Sequence, residues 1–264
     1  MPQSLLASDL DGTLIPPPTV ADDGGIAALR GALEEHGTRL AYVTGRHLKL
    51  ALEGLEAHGL PMPELLVCDV GTSVYVRAGE SYELDAGYRA LMSEATGGVE
   101  LASLGPSLET FSGLRLQEPE KQAAFKLSFY APGGEEGEAL SRRVAERLER
   151  SEASVNVVHS VDAVKDVGLI DVLPAGVAKD TAVRYVHDRS GLPEDRLAYA
   201  GDSGNDRAAM LSGFNVVVVG NAADPFKRSI RREADERGLG DRVYLAEACY
   251  AAGVLEGCRH YGLL

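Results

Sequence analysis

The sequence is short of cysteine, short of positive charge and without a long hydrophobic run. Cys68, Cys249 and Cys258 are its three cysteines among 264 residues. They form no CxxC pair and no zinc-ligand spacing. With no disulfide framework to make, the chain is expected in a reducing, cytoplasmic setting. Cys68 lies inside an apolar run and reads as a buried small residue. Lys and Arg number 26 against 40 Asp and Glu, a formal net charge of −14. That balance argues against nucleic acid or an anionic membrane surface as partner, because both are held by basic patches. Its simplest meaning is solubility. It also implies that an anionic substrate would need specific Lys, Arg or metal positions against an unfavourable overall field. The longest apolar stretch, around Val216 to Val219, is far too short to span a bilayer. The first strand-like run begins at Leu5, so no signal peptide is expected before it. There are no internal repeats.

Hydrophobic residues make up 45% of the chain, enough for a substantial core. Leu5 to Ser8 reads as a short buried strand ending at Asp9. Ile26 to His36 reads as a helix with Ile26, Leu29 and Leu33 on one face. Arg39 to Val43 is a second strand ending at Thr44. Leu48 to His58 is a helix closed by Gly59, and Leu65 to Cys68 is a third strand. Strand alternating with helix predicts a parallel sheet with helical crossovers. The rhythm changes between about Val76 and Ile170, where Gly/Ser-rich loops flank strands such as Phe125 to Tyr130 and one charged helix, Glu135 to Arg150. It returns with a helix at Lys179 to Asp188 and strands at Leu197 to Ala200 and Asn215 to Val219. Leu245, Ala248, Ala252 and Leu255 have helical spacing and read as core packing. The expected fold is α/β: a Rossmann-like parallel-sheet core, residues 1–77 and 172–264, with an α+β cap inserted at 78–171.

Ligands of open parallel sheets gather at the carboxyl ends of the strands, and four such ends carry suitable groups. In Asp9-Leu10-Asp11-Gly12-Thr13-Leu14, two carboxylates can face one pocket if the chain turns at Gly12. Asp9 could attack phosphorus, and Asp11 could protonate the leaving alcohol and later deprotonate water. Alone, the pair is equally a capped turn. Thr44-Gly45-Arg46 offers a hydroxyl and exposed N–H groups as a phosphate cradle, although Thr-Gly is common in turns. Lys179 opens a helix, which favours an anion twice over; a solvated surface lysine is the plain alternative. Gly201-Asp202-Ser203-Gly204-Asn205-Asp206 adds two carboxylates. Several close carboxylates repel unless a cation binds, and hard oxygen ligands suit Mg²⁺.

Taken together and in this order, the four motifs resemble those of the haloacid-dehalogenase superfamily. The resemblance implies Asp9 as nucleophile, Asp11 as acid/base, and Thr44 and Lys179 as phosphoryl ligands. It implies Mg²⁺ held by Asp9, the backbone carbonyl of Asp11 and Asp202, with Asn205 and Asp206 in support. Asp11, where the family's ion pumps have Thr, favours a phosphatase or phosphomutase. Ala41 to Arg46, Val70-Gly71-Thr72, Phe125 to Tyr130, Asp171 to Pro174 and Ala252 to Glu256 look like the sucrose-phosphate phosphatases. This implies a small-molecule sugar phosphate as substrate for a monomer or small homo-oligomer. Three departures touch the sugar end: Ser73 stands where that branch has Glu, Asp180 where it has Gly, and Gly168-Leu169-Ile170 replaces a more polar approach to Asp171. A related substrate such as mannosylfructose phosphate stays open. So do a phosphomannomutase-like phosphotransferase and a non-catalytic sugar-phosphate sensor. Within the cap, Lys126 is expected mid-strand on one face with Ser128 and Tyr130, as a sugar or phosphate contact or an edge-strand lysine. Arg46 could cap a helix or face substrate, and His47 could reach substrate from the same turn.

Overall fold

The computed structural model describes residues 4–151, 153–162 and 167–264. The chain separates into two units, Met1–Glu83 with Ala178–Leu264, and Leu84–Val177.

The larger unit is built on an eight-stranded sheet. Its strands are β1 (Leu5–Ser8), β2 (Arg39–Val43), β3 (Leu65–Cys68), β4 (Ser73–Ala78), β5 (Ser81–Leu84), β10 (Leu197–Gly201), β11 (Asn215–Val218) and β12 (Val243–Leu245), in the order β12-β11-β10-β1-β2-β3-β4-β5. From β12 to β3 all pairings are parallel, and β4 runs antiparallel to β3. Parallel neighbours need crossovers, and helices supply them: α1 (Gly25–His36), α2 (Leu48–His58), α6 (Lys179–Ser190), α7 (Arg207–Met210) and α8 (Asp224–Glu236), with α9 (Tyr250–His260) following the last strand. Helices on the sheet leave strand residues no wet face. β1, β3, β10 and β11 are accordingly buried at every position. Ile26, Leu29 and Leu33 of α1 pack with Val254, Leu255 and Cys258 of α9 and with Leu6 and Val217 of the sheet. Each such aliphatic side chain contributes about 1.5–3 kcal/mol by leaving water.

The smaller unit has a four-stranded antiparallel sheet, β6 (Arg115–Leu116), β7 (Leu127–Ala131), β9 (Val167–Pro174) and β8 (Val155–Asp162), in that order. Helices α3 (Ala86–Ala95), α4 (Gly105–Leu108) and α5 (Gly134–Leu148) accompany it. Leu140, Val144 and Leu148 of α5 pack on Leu127, Phe129, Ile170 and Val172. The alternate residues carry polar groups. Ser128 and Asp171 are register partners, and the Ser128 hydroxyl donates to the Asp171 carboxylate.

Several expectations need correction. The inserted segment runs from Leu84 to Val177 rather than 78–171: the turn after β4 returns as β5 in the larger sheet, and β9 continues through Pro174 in the smaller. Strand β7 starts at Leu127, so Lys126 is not mid-strand. It sits in a turn closed by reciprocal backbone bonds with Ala123. Leu245, Ala248, Ala252 and Leu255 do not share one helix. Leu245 ends β12, paired with Val218, and α9 starts at Tyr250. The Glu256 carboxylate accepts from the N–H groups of Glu247 and Ala248 and holds the intervening loop.

Candidate active site

The polar groups of the larger unit collect where β1, β2 and β10 end. Beyond Ser8 the chain cannot continue in the sheet, because Leu14 and Ile15 both fold back to donate to the Leu10 carbonyl. This tight loop sends its two carboxylates different ways. Gly12 has φ +80, and a Cβ there would stand 2.6 Å from Asp202 Oδ2. Only glycine serves, both for the backbone and for the space.

Asp9 is buried, and its Oδ1 lies 2.6 Å from the Lys179 ammonium. The same ammonium lies 2.7 Å from Asp206 Oδ1. Lys179 is completely buried and meets Asp9 across 170 residues of sequence. It is placed by the first turn of α6. Val70 and Gly71 turn the chain beneath Ala178, and a Cβ on Gly71, φ +96, would meet the Ala178 carbonyl at 2.8 Å. Asp206 is saturated. Oδ1 accepts from Lys179 and from the Tyr199 hydroxyl at 2.6 Å, and Oδ2 accepts from the N–H groups of Asp202 and Ser203. The Thr13 hydroxyl lies 3.2 Å from Asp202 Oδ1 and 3.4 Å from Asp9 Oδ2.

Three carboxylates facing one ammonium leave surplus negative charge, and the proton affinities register it. Burial, with the charges of Asp206 and Asp202 added, pushes the Asp9 carboxyl up to about 7 despite Lys179. Partial burial and Asp206 raise Asp202 to about 6. Burial alone would lower Lys179, yet the Asp9 and Asp206 carboxylates carry it above the ordinary lysine range. One carboxylate oxygen each from Asp9, Asp202 and Asp206 lie within 4.8 Å of one another. Hard oxygen donors carrying uncompensated charge fit a metal cation.

Asp11 lies apart from this cluster. It is exposed, and its carboxylate is held by Arg46 Nε at 2.8 Å and Nη2 at 2.5 Å. Arg46 Nη1 also donates to the Leu50 carbonyl. The guanidinium is thus engaged with the acid/base candidate, neither capping α2 nor standing free for substrate. His47 is the residue that caps α2, its ring accepting from the Leu50 N–H. Thr44 is buried at the end of β2, with its hydroxyl accepting from the Arg46 N–H. Gly45 is exposed, as is Asn205, whose carbonyl oxygen accepts from the Ser203 hydroxyl. Lys126 belongs to the smaller unit. The residue as a whole is largely buried, with 8% exposed.

Reading strand ends misses Thr13, Tyr199 and Asn221. Thr13 lies inside the Asp9 motif, and Tyr199 stands one strand period before Gly201, so position could have suggested both. Asn221 donates to the Gly12 carbonyl at 2.7 Å from a loop with no motif around it.

Comparison with known proteins gives the family. The profile of the family described as sucrose-6F-phosphate phosphohydrolase matches residues 2–262. A HAD-like hydrolase of Nitrosococcus oceani is 34% identical over 97% of this chain and 71% of its own. The mannosylfructose-phosphate phosphatase of Agrobacterium fabrum is 27% identical, over 99% and 98% respectively. The sucrose-phosphatase of Synechocystis sp. PCC6803, solved in complex with sucrose and phosphate, superposes with a TM-score of 0.76 at 27% identity, covering 99% of both chains. The chain therefore belongs to the sucrose-6F-phosphate phosphohydrolase family of the haloacid-dehalogenase superfamily and is a phosphohydrolase.

Proposed function

We propose that this phosphohydrolase cleaves a glycosyl-sugar phosphate, sucrose 6-phosphate first and mannosylfructose phosphate second, by way of a phosphoryl group carried on Asp9. The observation that carries the reading is the buried Lys179 bridge, which fixes Asp9 Oδ1 at 2.6 Å and leaves the other carboxylate oxygen beside Asp202. The two substrates come from the 27%-identical relatives, one named for mannosylfructose phosphate and one solved with sucrose and phosphate.

In the first half-reaction a carboxylate oxygen of Asp9 attacks phosphorus, the bond from phosphorus to the sugar oxygen breaks, and Asp11 gives its proton to that oxygen. Asp11 must first leave Arg46. In the second, Asp11 takes a proton from water, the water oxygen attacks phosphorus, and the bond to Asp9 breaks to release phosphate and restore the carboxylate. Thr44, the Gly45 N–H and the remaining N–H of Lys179 hold phosphoryl oxygens. A Mg²⁺ ion at Asp9 and Asp202, with Asp206 orienting the Asp202 loop and the Asp11 carbonyl as the family resemblance implies, would offset the charge between carboxylates and phosphoryl oxygens. Lys126, in the Phe125 to Tyr130 segment that resembles the sucrose-phosphate phosphatases, is the proposed substrate ligand of the smaller unit.

The test is phosphate release from a panel of mono- and disaccharide phosphates with Mg²⁺ present. Highest kcat/KM on a disaccharide phosphate is expected. Preference for a monosaccharide phosphate would reject the substrate class. Turnover only with a bisphosphate primer would make the protein a mutase.

A further inference from the structure

The loop that carries Asp11 borders a cavity of about 570 Å³ on the larger unit that the phosphoryl chemistry leaves unused. Asp11 and Asp202 line its reactive end. Ile15, Pro16, Pro17, Pro18 and Tyr250 line its wall. We infer that this wall is a sugar-binding shelf, on which the ring bearing the cleaved oxygen lies against Tyr250; this rests on the sugar-phosphatase reading above.

Position argues first. Asp11 must protonate the oxygen that leaves phosphorus, so the leaving group lies on the Asp11 side of the site. A cavity that Asp11 itself lines is where that group's ring would go. Surface chemistry argues second. The C–H face of a pyranose or furanose packs on an aromatic ring, while its hydroxyls need polar neighbours. Tyr250 supplies the ring, and Asn221 and Arg46 are polar groups on the same lining. Three consecutive prolines have fixed φ, so their part of the wall is formed before any ligand arrives and costs little ordering on binding.

The backbone of Tyr250 argues third and independently. Its φ is +51, in the left-handed region, which an aromatic L-residue rarely adopts. Such strain persists where surrounding bonds impose it, and it collects at ligand sites. Here Asn221 imposes it: its Oδ1 accepts from the Tyr250 N–H at 2.9 Å while its Nδ2 donates to the Gly12 carbonyl at 2.7 Å. One side chain therefore ties the backbone of the strained tyrosine to that of the catalytic loop. If the position served folding alone, glycine or asparagine would fill it with less strain.

The experiment compares kcat/KM on the best disaccharide phosphate with kcat/KM on acetyl phosphate, which has no ring to stack, for wild type, Tyr250→Phe, Tyr250→Gly and Tyr250→Asn. Thermal melting of each is recorded alongside. Losing one aromatic stacking face should lower the disaccharide-to-acetyl ratio by roughly tenfold in Tyr250→Gly and Tyr250→Asn, mostly through KM. Tyr250→Phe should restore most of that ratio. Tyr250→Gly should melt no lower than Tyr250→Phe, since it relieves the backbone. An unchanged ratio in both the Gly and Asn variants overturns the shelf while leaving the phosphatase reading intact. Wild type that turns over acetyl phosphate but no sugar phosphate overturns both.

Discussion

The two sheets of this protein distribute polar groups in opposite ways. In the larger sheet β1, β10 and β11 are buried throughout, so a charged side chain has nowhere to stand except past a strand's end. In the smaller sheet α5 packs one face, although β7 is buried at every position. The other carries Ser128, Tyr130 and Asp171 along the strands, with Gln117 and Gln122 bonded beside them. Parallel architecture thus concentrates chemistry at a few predictable points, whereas antiparallel architecture spreads polar groups along its strands. The first arrangement suits a reaction common to a superfamily, and the second suits discrimination among substrates.

Disabling the strand-end cluster should break that contrast most sharply. Asp9→Asn keeps shape but removes the nucleophile, and turnover of every phosphate ester should fall by at least about 1,000-fold. An assay retaining more than a few per cent of the wild-type rate would contradict this. Next comes Lys179→Met, which leaves Asp9 and Asp206 buried without their cation. Breaking one side of a buried pair costs about 3–5 kcal/mol, so denaturant unfolding should show a large loss of stability above pH 7. The loss should shrink at pH 5, where Asp9 is protonated.

On the other side of the comparison, Lys126→Ala should leave the chemistry in place and lower kcat/KM for a disaccharide phosphate by roughly 10- to 150-fold, the loss of one charged hydrogen bond. Acetyl phosphate should be affected much less. Equal losses on both would move Lys126 from sugar discrimination to phosphate binding or folding.

The smallest effect is a pH dependence confined to the larger unit. Asp9 and Asp202 bind protons more tightly folded than unfolded, at about 7 and about 6. In metal-free protein their contribution to stability therefore falls as pH rises from about 4 through 7. A divalent ion must displace those protons, so its affinity should climb between pH 5 and 7 and level off above. Calorimetric titration with Mg²⁺ showing a flat profile would mean that these carboxylates do not form the site.

The same contrast governs what could be read from sequence. Strands β1, β2, β3, β10 and β11 announce themselves as short apolar runs, and each polar residue just past one is a candidate by position. Asp9, Thr44 and Asp202 stand past such strands, whereas Lys179 opens α6 and reaches Asp9 and Asp206 from there. Side-chain partnerships were not legible. Nothing in the spacing of Asp11 and Arg46 says that they pair rather than face substrate, because pairing depends on how tightly the Leu10 to Ile15 loop recoils. The Leu245 to Leu255 periodicity misled because β12 and α9 happen to place apolar residues in phase across a loop. Lys126 was legible as a residue type but not as a turn residue, since its backbone bonds with Ala123 are local and carry no apolar pattern.

The position of β1 also governs how the protein is made. This strand lies between β2, which follows it closely, and β10, whose Leu197 pairs with Leu5. During synthesis, β1 to β5 and the whole of the smaller unit emerge while one edge of β1 still has no partner. Synthesis runs at roughly 5–20 residues per second, so that edge stays open for many seconds, a template for unwanted strand pairing. Lys179 emerges shortly before β10 and Asp206 shortly after it, so Asp9 waits about as long for its partners. The nascent chain is therefore most vulnerable to aggregation, and chemically silent, until β10 closes the sheet. That late stretch of chain ends both conditions together.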